Sequence, residues 1–552
     1  MIEPLSAPVV AGKGSALYRA HSYHTKVPPE GIVPHIVRCC PPGGTVLDPF
    51  CGSGMTGVAA RLAGRNAVLV DISPLATFIS RHHCHPPQPE QLPSEMDLPL
   101  REAEAKLGRI YETHCRRCAR PATLLRTIWS QKLRCPRCSH EFRLADTTAD
   151  GRVRREFACP HCRRELRKGS CERLGYDPIE LHYRCTDCGK ALARIAPGDM
   201  DWQLATGDYS TEVAPEWRRQ LDVPIPERAD EIARLHRDGV KRLSELFTPR
   251  NLAVLLYLRA KVTGPNSTLL FLLSSALPRA SRLNRYLPHL RAVPGHTFGT
   301  MYLPGLQAEE NVFLLLRRKR ENLRRYSELF YSKAAPTSTV QVHTRSATDL
   351  SNIPDQTIDY VFTDPPFGAN IAYSELNFLW EAFLGEFTDA RLEAVVSKAQ
   401  KKDATSYRRL MAESLTEANR VLRRDGWLTM VFHNTSSQVW LAVHEALCAA
   451  RFEVVSTSTF SKGKNLSFKQ FTASGTVTHD VVLHCRKCSQ PVRPSVLSCG
   501  ELRKLIGEIE AKDPRQHYSL ALGAALARGK TLGVDYAAYC KLLAGKEPSD
   551  AT

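Results

Sequence analysis

The sequence contains no apolar run of about 18 residues, the length that a membrane-spanning helix requires. Its N-terminal stretch also lacks the charged segment followed by an apolar segment that marks an export signal. We therefore expect a cytoplasmic protein without a membrane partner. At 552 residues the chain is too long for a single hydrophobic core, so we expect more than one domain.

Acidic residues are scarce relative to basic ones. The chain has 57 Asp and Glu against 75 Lys and Arg, which gives a formal net charge of +18. Residues 101–200 hold 22 basic and 13 acidic residues, and this surplus of 9 is half of the total. Basic side chains bind nucleic acids because they displace counterions from phosphates. The charge therefore favours a polyanionic partner, although a basic surface can also serve solubility alone.

Eighteen cysteines in a chain without an export signal argue against a disulfide framework. Eight of them form four Cys-x-x-Cys pairs, a spacing typical of metal ligands. Two turns that each present two thiolates can hold one tetrahedral zinc ion, so we expect a double zinc ribbon with two structural ions. Pairing of consecutive turns is the simpler arrangement, and an interleaved arrangement stays open. The expected ligands are Cys115, Cys118, Cys135, Cys138, Cys159, Cys162, Cys185 and Cys188.

The hydrophobic pattern predicts an α/β fold with an interrupted sheet. Residues 20–84 read as a helix, a strand, a glycine-rich turn, a helix and a second strand, which begins a doubly wound sheet. The pattern resumes only near residue 340, so an insertion separates its two parts. Apolar runs at 267–277 and 311–320 resemble strands. The expected regions are 1–95 and 336–495 for the two parts of the core, 96–205 for the zinc ribbons, 206–335 for a mainly helical insertion suited to target recognition, and 496–552 for C-terminal helices.

The glycine-rich turn, DPFCGSGMTG at residues 48–57, predicts a cofactor site. Glycines at a strand-to-helix turn let a ligand approach the backbone closely. The spacing of Gly52, Gly54 and Gly57 also fits a nicotinamide dehydrogenase, but the Asp48 carboxylate would repel a pyrophosphate and suits the ammonium of a methionine moiety. Asp71 ends the next strand, where its carboxylate can accept the hydroxyls of a ribose.

A second motif, TDPPFG at residues 363–368, follows the apolar strand IDYVF. An exocyclic amine is a poor nucleophile because its lone pair is conjugated into the ring of the base. A carboxylate and a backbone carbonyl that each accept an N–H draw the nitrogen towards tetrahedral geometry. Asp364 supplies the carboxylate and Pro365 the carbonyl, Pro366 stiffens the loop, and Phe367 offers a face to a base that has left the duplex. Further residues that fit either the pocket wall or helix packing are Asn370, Tyr373 and Trp380.

The turn at residues 48–57 resembles the first motif of amino-methylating DNA methyltransferases, Asp-Pro-Phe-x-Gly-Ser-Gly, with Met55 where that family often has Thr. This resemblance implies a Rossmann-like sheet that binds S-adenosylmethionine. It extends to Lys26, in a Lys-x-Pro pattern, and to Asp349, which would contact the adenine amino group of the cofactor, with Asp355 as a competitor for that role. The cofactor-binding residues that we expect are Lys26, Asp48, Phe50, Gly52, Gly54, Asp71 and Asp349.

The chain is similar to bacterial or archaeal adenine-specific DNA methylases that contain a zinc-ribbon domain. The resemblance is specific over residues 20–84 and 340–385, looser over 225–335, where the chain shares with them the phrase FTPR at residues 247–250, and absent after about residue 495. The likeness implies a site-specific enzyme that methylates adenine N6 in duplex DNA, in a restriction-modification or phage-defence system. The sequence has no nuclease or helicase motif, so such activities would reside in partner subunits. Three alternatives stay open: cytosine N4 in DNA, guanine N2 or adenine in RNA, and a non-catalytic nucleic-acid-binding subunit.

Overall fold

The structure is a computed structural model, and it describes residues 4–5, 9–10, 14–148, 152–189, 192–213, 215–369, 371–461, 479–490 and 493–545. The chain forms two compact units. The first unit comprises residues 1–87, 325–377 and 386–552, and the second comprises residues 88–324 and 378–385. None of the helices within the described ranges is long and apolar enough to cross a membrane.

The first unit is built on an eight-stranded sheet. Seven strands share one direction, and His479–Lys487 runs antiparallel to both of its neighbours. The central strand Ile358–Thr363 is buried at every residue, as expected where both faces of a parallel sheet are covered. The predicted α/β class is thus confirmed. From edge to edge the strands are Val9–Val10, Phe452–Ser461, His479–Lys487, Leu422–Phe432, Ile358–Thr363, Thr45–Asp48, Asn66–Asp71 and Val340–Thr344.

Amphipathic helices cover this sheet. Ala404–Val421 begins at Asp403, whose carboxylate accepts the Ser406 amide at 2.8 Å, and it buries one apolar face. The residues after 495 belong to the first unit, and their apolar side chains join its main hydrophobic core. The helices of this unit are Ala16–Arg19, Pro29–Cys39, Met55–Leu62, Pro74–Cys84, Tyr373–Leu376, Ala404–Val421, Ser437–Ala449, Cys499–Glu508, Pro514–Ala527 and Tyr536–Leu543, and a short parallel pair joins Ser495–Val496 to Lys530–Thr531.

The second unit contains an antiparallel sheet with two long strands at its centre. Pro121–Arg134 and Glu172–Arg184 pair along their length, from Thr123 opposite Arg184 to Arg134 opposite Glu172. From edge to edge the main strands are Leu192–Ile195, Glu172–Arg184, Pro121–Arg134, Leu306–Glu310, Arg285–Leu287 and Ala292–Gly295. The shorter strands Glu112–His114 and Glu141–Arg143 pair with Pro121–Arg134, and Glu156–Ala158 forms a separate hairpin with Glu165–Arg167.

Two runs that we expected to be strands are helices, so this prediction was wrong. Thr268–Ala280 buries every residue except Arg279, and a helix that is buried on all sides lacks the 3.6-residue periodicity that would reveal it. Val312–Lys333 is a 22-residue helix that begins in the second unit and ends in the first. The other helices of the second unit are Leu98–Leu107, Asp199–Thr206, Pro215–Leu221, Arg234–Arg237, Pro249–Arg259 and Phe378–Leu384.

The FTPR phrase has a structural role in the second unit. Arg250 is buried and forms a bidentate pair with the Glu309 carboxylate, at 2.7 Å from Nε and 2.6 Å from Nη2. The same carboxylate accepts the Trp129 indole N–H at 2.8 Å and the Thr248 hydroxyl. A buried ion pair stays stable when further hydrogen bonds satisfy its remaining lone pairs, as they do here. The pair therefore joins the start of helix Pro249–Arg259 to the sheet.

We predict that Arg250→Leu destabilises the second unit by about 3–5 kcal/mol, because it leaves the Glu309 carboxylate buried without its cation. Urea unfolding followed by circular dichroism measures the change. Arg242→Leu is the control, since Arg242 pairs with Asp222 at the surface of the same unit and such pairs contribute about 1 kcal/mol or less. Equal losses in the two variants would contradict a special role for the buried pair.

Candidate functional site

A cavity of about 940 Å³ lies in the first unit, at the carboxyl ends of three neighbouring strands, Thr45–Asp48, Asn66–Asp71 and Ile358–Thr363. From Thr45–Asp48 the chain continues directly to the neighbouring strand Asn66–Asp71. It reaches the neighbour on the other side, Ile358–Thr363, only after the insertion, so the order of the strands reverses at Thr45–Asp48. Ligands of open α/β sheets bind at such a reversal. Four acidic side chains line the cavity: Asp48, Asp71, Asp364 and Glu393.

Asp48 ends its strand with its carboxylate buried in the cavity wall. The Thr56 hydroxyl donates to one carboxylate oxygen at 2.6 Å, and the Phe50 amide donates to the other at 3.1 Å. These two hydrogen bonds do not fully replace the hydration that the carboxylate loses. Burial therefore raises the pKa of Asp48 to about 7. A cation that entered the cavity would stabilise the ionised carboxylate, which fits the ammonium of a methionine moiety.

The turn between Asp48 and helix Met55–Leu62 needs glycine at two positions. Gly52 has a φ of +49° and Gly54 a φ of +76°, a region that L side chains rarely adopt. A Cβ atom on Gly54 would lie 2.8 Å from the Cα of Ser80, so the turn packs directly on helix Pro74–Cys84. Gly52 lines the cavity, whereas Gly54 is not among the lining residues and shapes the turn from behind.

The Asp71 carboxylate connects the turns that follow two adjacent strands. One oxygen accepts the Gly52 amide and the other accepts the Ser73 amide, each at 2.9 Å. Burial raises the pKa of Asp71 to about 6, and the nearby Glu393 carboxylate acts in the same direction. Each carboxylate oxygen can accept a second hydrogen bond, so Asp71 keeps the capacity to bind ribose hydroxyls.

Lys26 and Phe50, two further expected cofactor residues, also line the cavity. The Lys26 ammonium donates to the backbone oxygens of Tyr18 at 2.8 Å and His21 at 3.1 Å, which fixes the segment before helix Pro29–Cys39 at the cavity wall. Lys26 is the one basic side chain among the described lining residues. The cavity therefore carries an excess of acidic groups over basic ones.

The loop of Asp364, Pro365, Pro366 and Phe367 starts where strand Ile358–Thr363 ends, and Asp364 and Pro366 line the cavity. The loop is held from behind, because the Tyr407 hydroxyl donates to the Pro366 oxygen and the Asn434 amide donates to the Phe367 oxygen, both at 2.7 Å. None of the hydrogen bonds among the described residues ends at the Pro365 carbonyl. The Pro365 carbonyl and the Asp364 carboxylate are thus adjacent hydrogen-bond acceptors in a loop that is held in place.

Phe367 is not among the residues that line the cavity. Its ring packs edge-on against Phe432, with ring centroids 5.2 Å apart, and contributes to the main hydrophobic core. In this conformation Phe367 supports the loop from the core side. Its role as a stacking face for a base stays a prediction.

Asp349 is also not among the lining residues. Its carboxylate is exposed and pairs with Arg345, whereas Ser346 and Ala347 of the same turn line the cavity. Two other residues of the turn that the resemblance selected therefore lie at the cavity, and the role of Asp349 in cofactor binding stays a prediction.

The three further pocket residues from the sequence have different positions. Tyr373 lines the cavity, its hydroxyl lies 2.7 Å from the Thr25 hydroxyl, and burial raises its pKa. Trp380 belongs to the second unit, where its indole N–H donates to the Ser274 oxygen at 3.0 Å. Asn370 lies outside the described residues.

Glu393 lines the cavity and was missed by the sequence analysis. Its buried carboxylate accepts the Ser374 amide at 3.1 Å, the Ser374 hydroxyl at 2.5 Å and the Gln400 amide group at 2.7 Å. Glu393 lies in irregular chain that carries no motif, so no sequence signal marks it. The partners that hold it come from the short helix Tyr373–Leu376 and from the turn that contains Gln400.

The eight expected metal ligands form two sites. Cys115, Cys118, Cys185 and Cys188 lie together, and Cys135, Cys138, Cys159 and Cys162 lie together, with the four sulfurs of each set within 4.8 Å of one another. The first and fourth turns thus share one site, and the second and third share the other. The expected pairing of consecutive turns is wrong, and the nested arrangement in the structure also differs from the interleaved alternative.

The long strands explain this pairing. Cys118 precedes strand Pro121–Arg134 and Cys135 follows it, and an extended strand of 14 residues separates its ends by roughly 45 Å. The antiparallel partner Glu172–Arg184 runs back over the same distance, so its end meets the first turn. Each site therefore lies at one end of the strand pair.

Both sites fit a zinc ion. The closest sulfur pairs are 3.6 and 3.8 Å apart in one site and 3.8 Å apart in the other, and a tetrahedral Zn²⁺ with bonds of about 2.3 Å requires about 3.8 Å. Backbone amides, first that of Arg117, lower the pKa of Cys115 to about 6, whereas hydrogen bonding with the Cys118 thiol raises the pKa of Cys188 in the same site. With complete sets of four thiolates, both sites suit structural ions.

A family model described as DNA methylase matches residues 9–78. The match supports an amino-methyltransferase that acts on DNA. It spans Lys26, both strand-end carboxylates and the glycine turn between them. Such an enzyme uses S-adenosylmethionine, and the desolvated carboxylates at adjacent strand ends fit this cationic cofactor. No curated protein matches the chain.

We predict that the affinity for S-adenosylmethionine rises about 10-fold from about pH 5.5 to about pH 7.5. The pKa of Asp48, raised to about 7 by burial, falls when an ammonium binds, so binding releases a proton and weakens as the pH decreases. Isothermal titration calorimetry at several pH values measures the profile. Asp48→Asn should bind weakly with a flat profile, and a wild-type slope in this variant would contradict the assignment.

We predict that the two zinc ions are lost according to the nested pairing. Cys115→Ser with Cys188→Ser alters one site and should remove one zinc ion per chain. Cys115→Ser with Cys135→Ser alters both sites and should remove both ions. Metal analysis of the purified variants measures the zinc content, and the reverse pattern would support pairing of consecutive turns.

Proposed function

We propose that this protein is an S-adenosylmethionine-dependent DNA methyltransferase that methylates an exocyclic amine of a flipped base, with adenine N6 as the target. The observation that supports this proposal most directly concerns three carboxylates that line one cavity. Asp48 and Asp71 end two neighbouring strands, and Asp364 directly follows a third. The first two carboxylates suit the ammonium and ribose of the cofactor. The third lies beside them in a loop that suits an amine.

The residues of the cavity supply orientation and proton acceptance. When bound, S-adenosylmethionine supplies a methyl group on a positively charged sulfur, which the amine displaces as the carbon–sulfur bond breaks. Asp364 and the Pro365 carbonyl each accept an N–H of the target amine, which frees the nitrogen lone pair. Asp364 then takes the proton that the methylated amine releases. Tyr407 and Asn434 hold the loop so that these acceptors need not reorganise during the reaction.

Adenine is the proposed target because Asp stands first in the DPPF motif, where cytosine-N4 enzymes more often have Ser. The two Cys₄ sites would each hold one structural zinc ion, in a unit that helps to hold duplex DNA. We place the enzyme in the cytoplasm of a prokaryote, in a restriction-modification or phage-defence system. Nuclease or helicase subunits would be its partners there.

We predict that Asp364→Asn lowers methyl transfer to duplex DNA at least about 100-fold, because the uncharged amide oxygen accepts the N–H of the amine more weakly than a carboxylate does and cannot take its proton. The assay uses radiolabelled S-adenosylmethionine, followed by nucleoside digestion and mass identification of the product. Cofactor affinity, measured by calorimetry, should stay within about threefold of wild type. Asp425→Asn is the matched control, since Asp425 is exposed and is not among the cavity residues.

N6-methyladenine in DNA, made by the wild type and lost in Asp364→Asn, supports the proposal. N4-methylcytosine in DNA would show that the target base is cytosine, and the proposal of a DNA amino-methyltransferase would stand. A labelled RNA nucleoside, or tight cofactor binding with no product on any nucleic acid, would overturn it.

A further inference from the structure

Four basic side chains of the second unit surround a single carboxylate. We call them, together with that carboxylate, the Glu310 cluster. Glu310 ends strand Leu306–Glu310 and is buried. The basic members are Arg126, Arg279, Arg318 and Lys319.

The four cations of the cluster come from three different elements. Arg126 lies directly opposite Glu310 in the pairing of the two strands. Arg279, the one residue of helix Thr268–Ala280 that is not buried, has its Nη1 atom 3.7 Å from the Glu310 carboxylate. Arg318, from helix Val312–Lys333, donates to the other oxygen of that carboxylate. The fold therefore gathers these cations from distant parts of the chain.

The charges within the cluster do not balance, since four cations share one anion. Proximity of Arg279 and Arg318, added to the larger effect of burial, lowers the pKa of Lys319 to about 8. Burial and the same two arginines also lower the pKa of Arg126. The Nε of Arg126 is buried without a hydrogen-bond acceptor among the described residues. An anion with several oxygens would relieve both the repulsion and the missing bond.

Three other arginines of helix Val312–Lys333 each pair with a carboxylate outside the Glu310 cluster. Arg317 pairs with Glu104, Arg320 with Asp97 and Arg324 with Glu321, so each has a carboxylate partner. The excess positive charge is thus local to the Glu310 cluster and is not a general property of the helix. Arg318 and Arg279 are also exposed enough, at 57% and 37% of their side-chain surface, to reach an external ligand.

We propose that the Glu310 cluster is a binding site for the backbone phosphates of duplex DNA. Arginine and lysine side chains from several elements fix a duplex by contacts to phosphate oxygens, which carry no sequence information. The excess of three positive charges suits adjacent phosphates of one strand. This inference rests on the proposed function, because DNA is the polyanion that the enzyme would methylate.

The test is the salt dependence of duplex binding by the full-length protein, followed by fluorescence anisotropy between about 50 and 200 mM salt. Each phosphate contact that is lost should lower the slope of log Kd against log salt by about 0.9 and weaken binding about 8-fold at 0.1 M salt. Arg279→Gln and Lys319→Gln should each show this change. Lys319→Arg should restore wild-type binding, because it keeps the charge.

Arg317→Gln is the matched control on the same helix and should bind as the wild type does, since Arg317 is engaged by Glu104. Circular dichroism spectra and urea unfolding should match those of the wild type in all variants, which shows that the second unit, where these residues lie, is folded. If the variants match Arg317→Gln, or lose affinity without a change in slope, the cluster does not bind phosphate. A wild type that binds no duplex overturns this inference and the proposed function together, whereas the previous outcomes leave that function intact.

Discussion

The first unit depends on a short parallel pairing between distant parts of the chain. Val46 pairs with Tyr360 and Leu47 with Val361, so residues 314 positions apart (360 minus 46) become neighbours in the sheet. This pairing brings the carboxyl ends of strands Thr45–Asp48 and Ile358–Thr363 to one edge, where Asp48 and Asp364 share a cavity. The entropy cost of closing a loop grows only with the logarithm of its length, so a tenfold longer connection costs only about 2 kcal/mol more. A large insertion is therefore compatible with a continuous sheet.

Two local environments of opposite charge lie within a chain whose formal net charge is +18. The cavity of the first unit concentrates carboxylates, and burial raises the pKa values of two of them, Asp48 and Asp71. The Glu310 cluster of the second unit concentrates cations around one acid. A cationic cofactor and an anionic polymer are thus attracted to different parts of the chain. Each environment contains one side chain of the opposite sign, Lys26 in the cavity and Glu310 in the cluster, and one sign of charge remains in excess in each.

The sequence was sufficient for features that depend on local chemistry. The motifs at residues 48–57 and 363–368 end apolar strands, and most of the residues chosen there line the cavity. The errors arose where the answer depends on tertiary packing. Thr268–Ala280 has no periodicity because all its sides are buried, and the pairing of the cysteine turns follows from two long strands whose length the spacing does not reveal. Glu393 reaches the cavity through contacts with Ser374 and Gln400, and no pattern in the chain connects these residues.

The nested cysteine turns impose an order on the formation of the second unit during synthesis. The ribosome releases the chain from its N-terminus, so the inner site is complete once Cys162 has emerged, whereas Cys115 and Cys118 must wait for Cys188. The inner site also closes a loop of 20 residues (139–158) rather than 66 (119–184), an advantage of about 1 kcal/mol. Metal at the inner site would bring the end of one long strand beside the start of the other, where Arg134 lies opposite Glu172. The first ion to bind thus sets the strand register that the second ion requires.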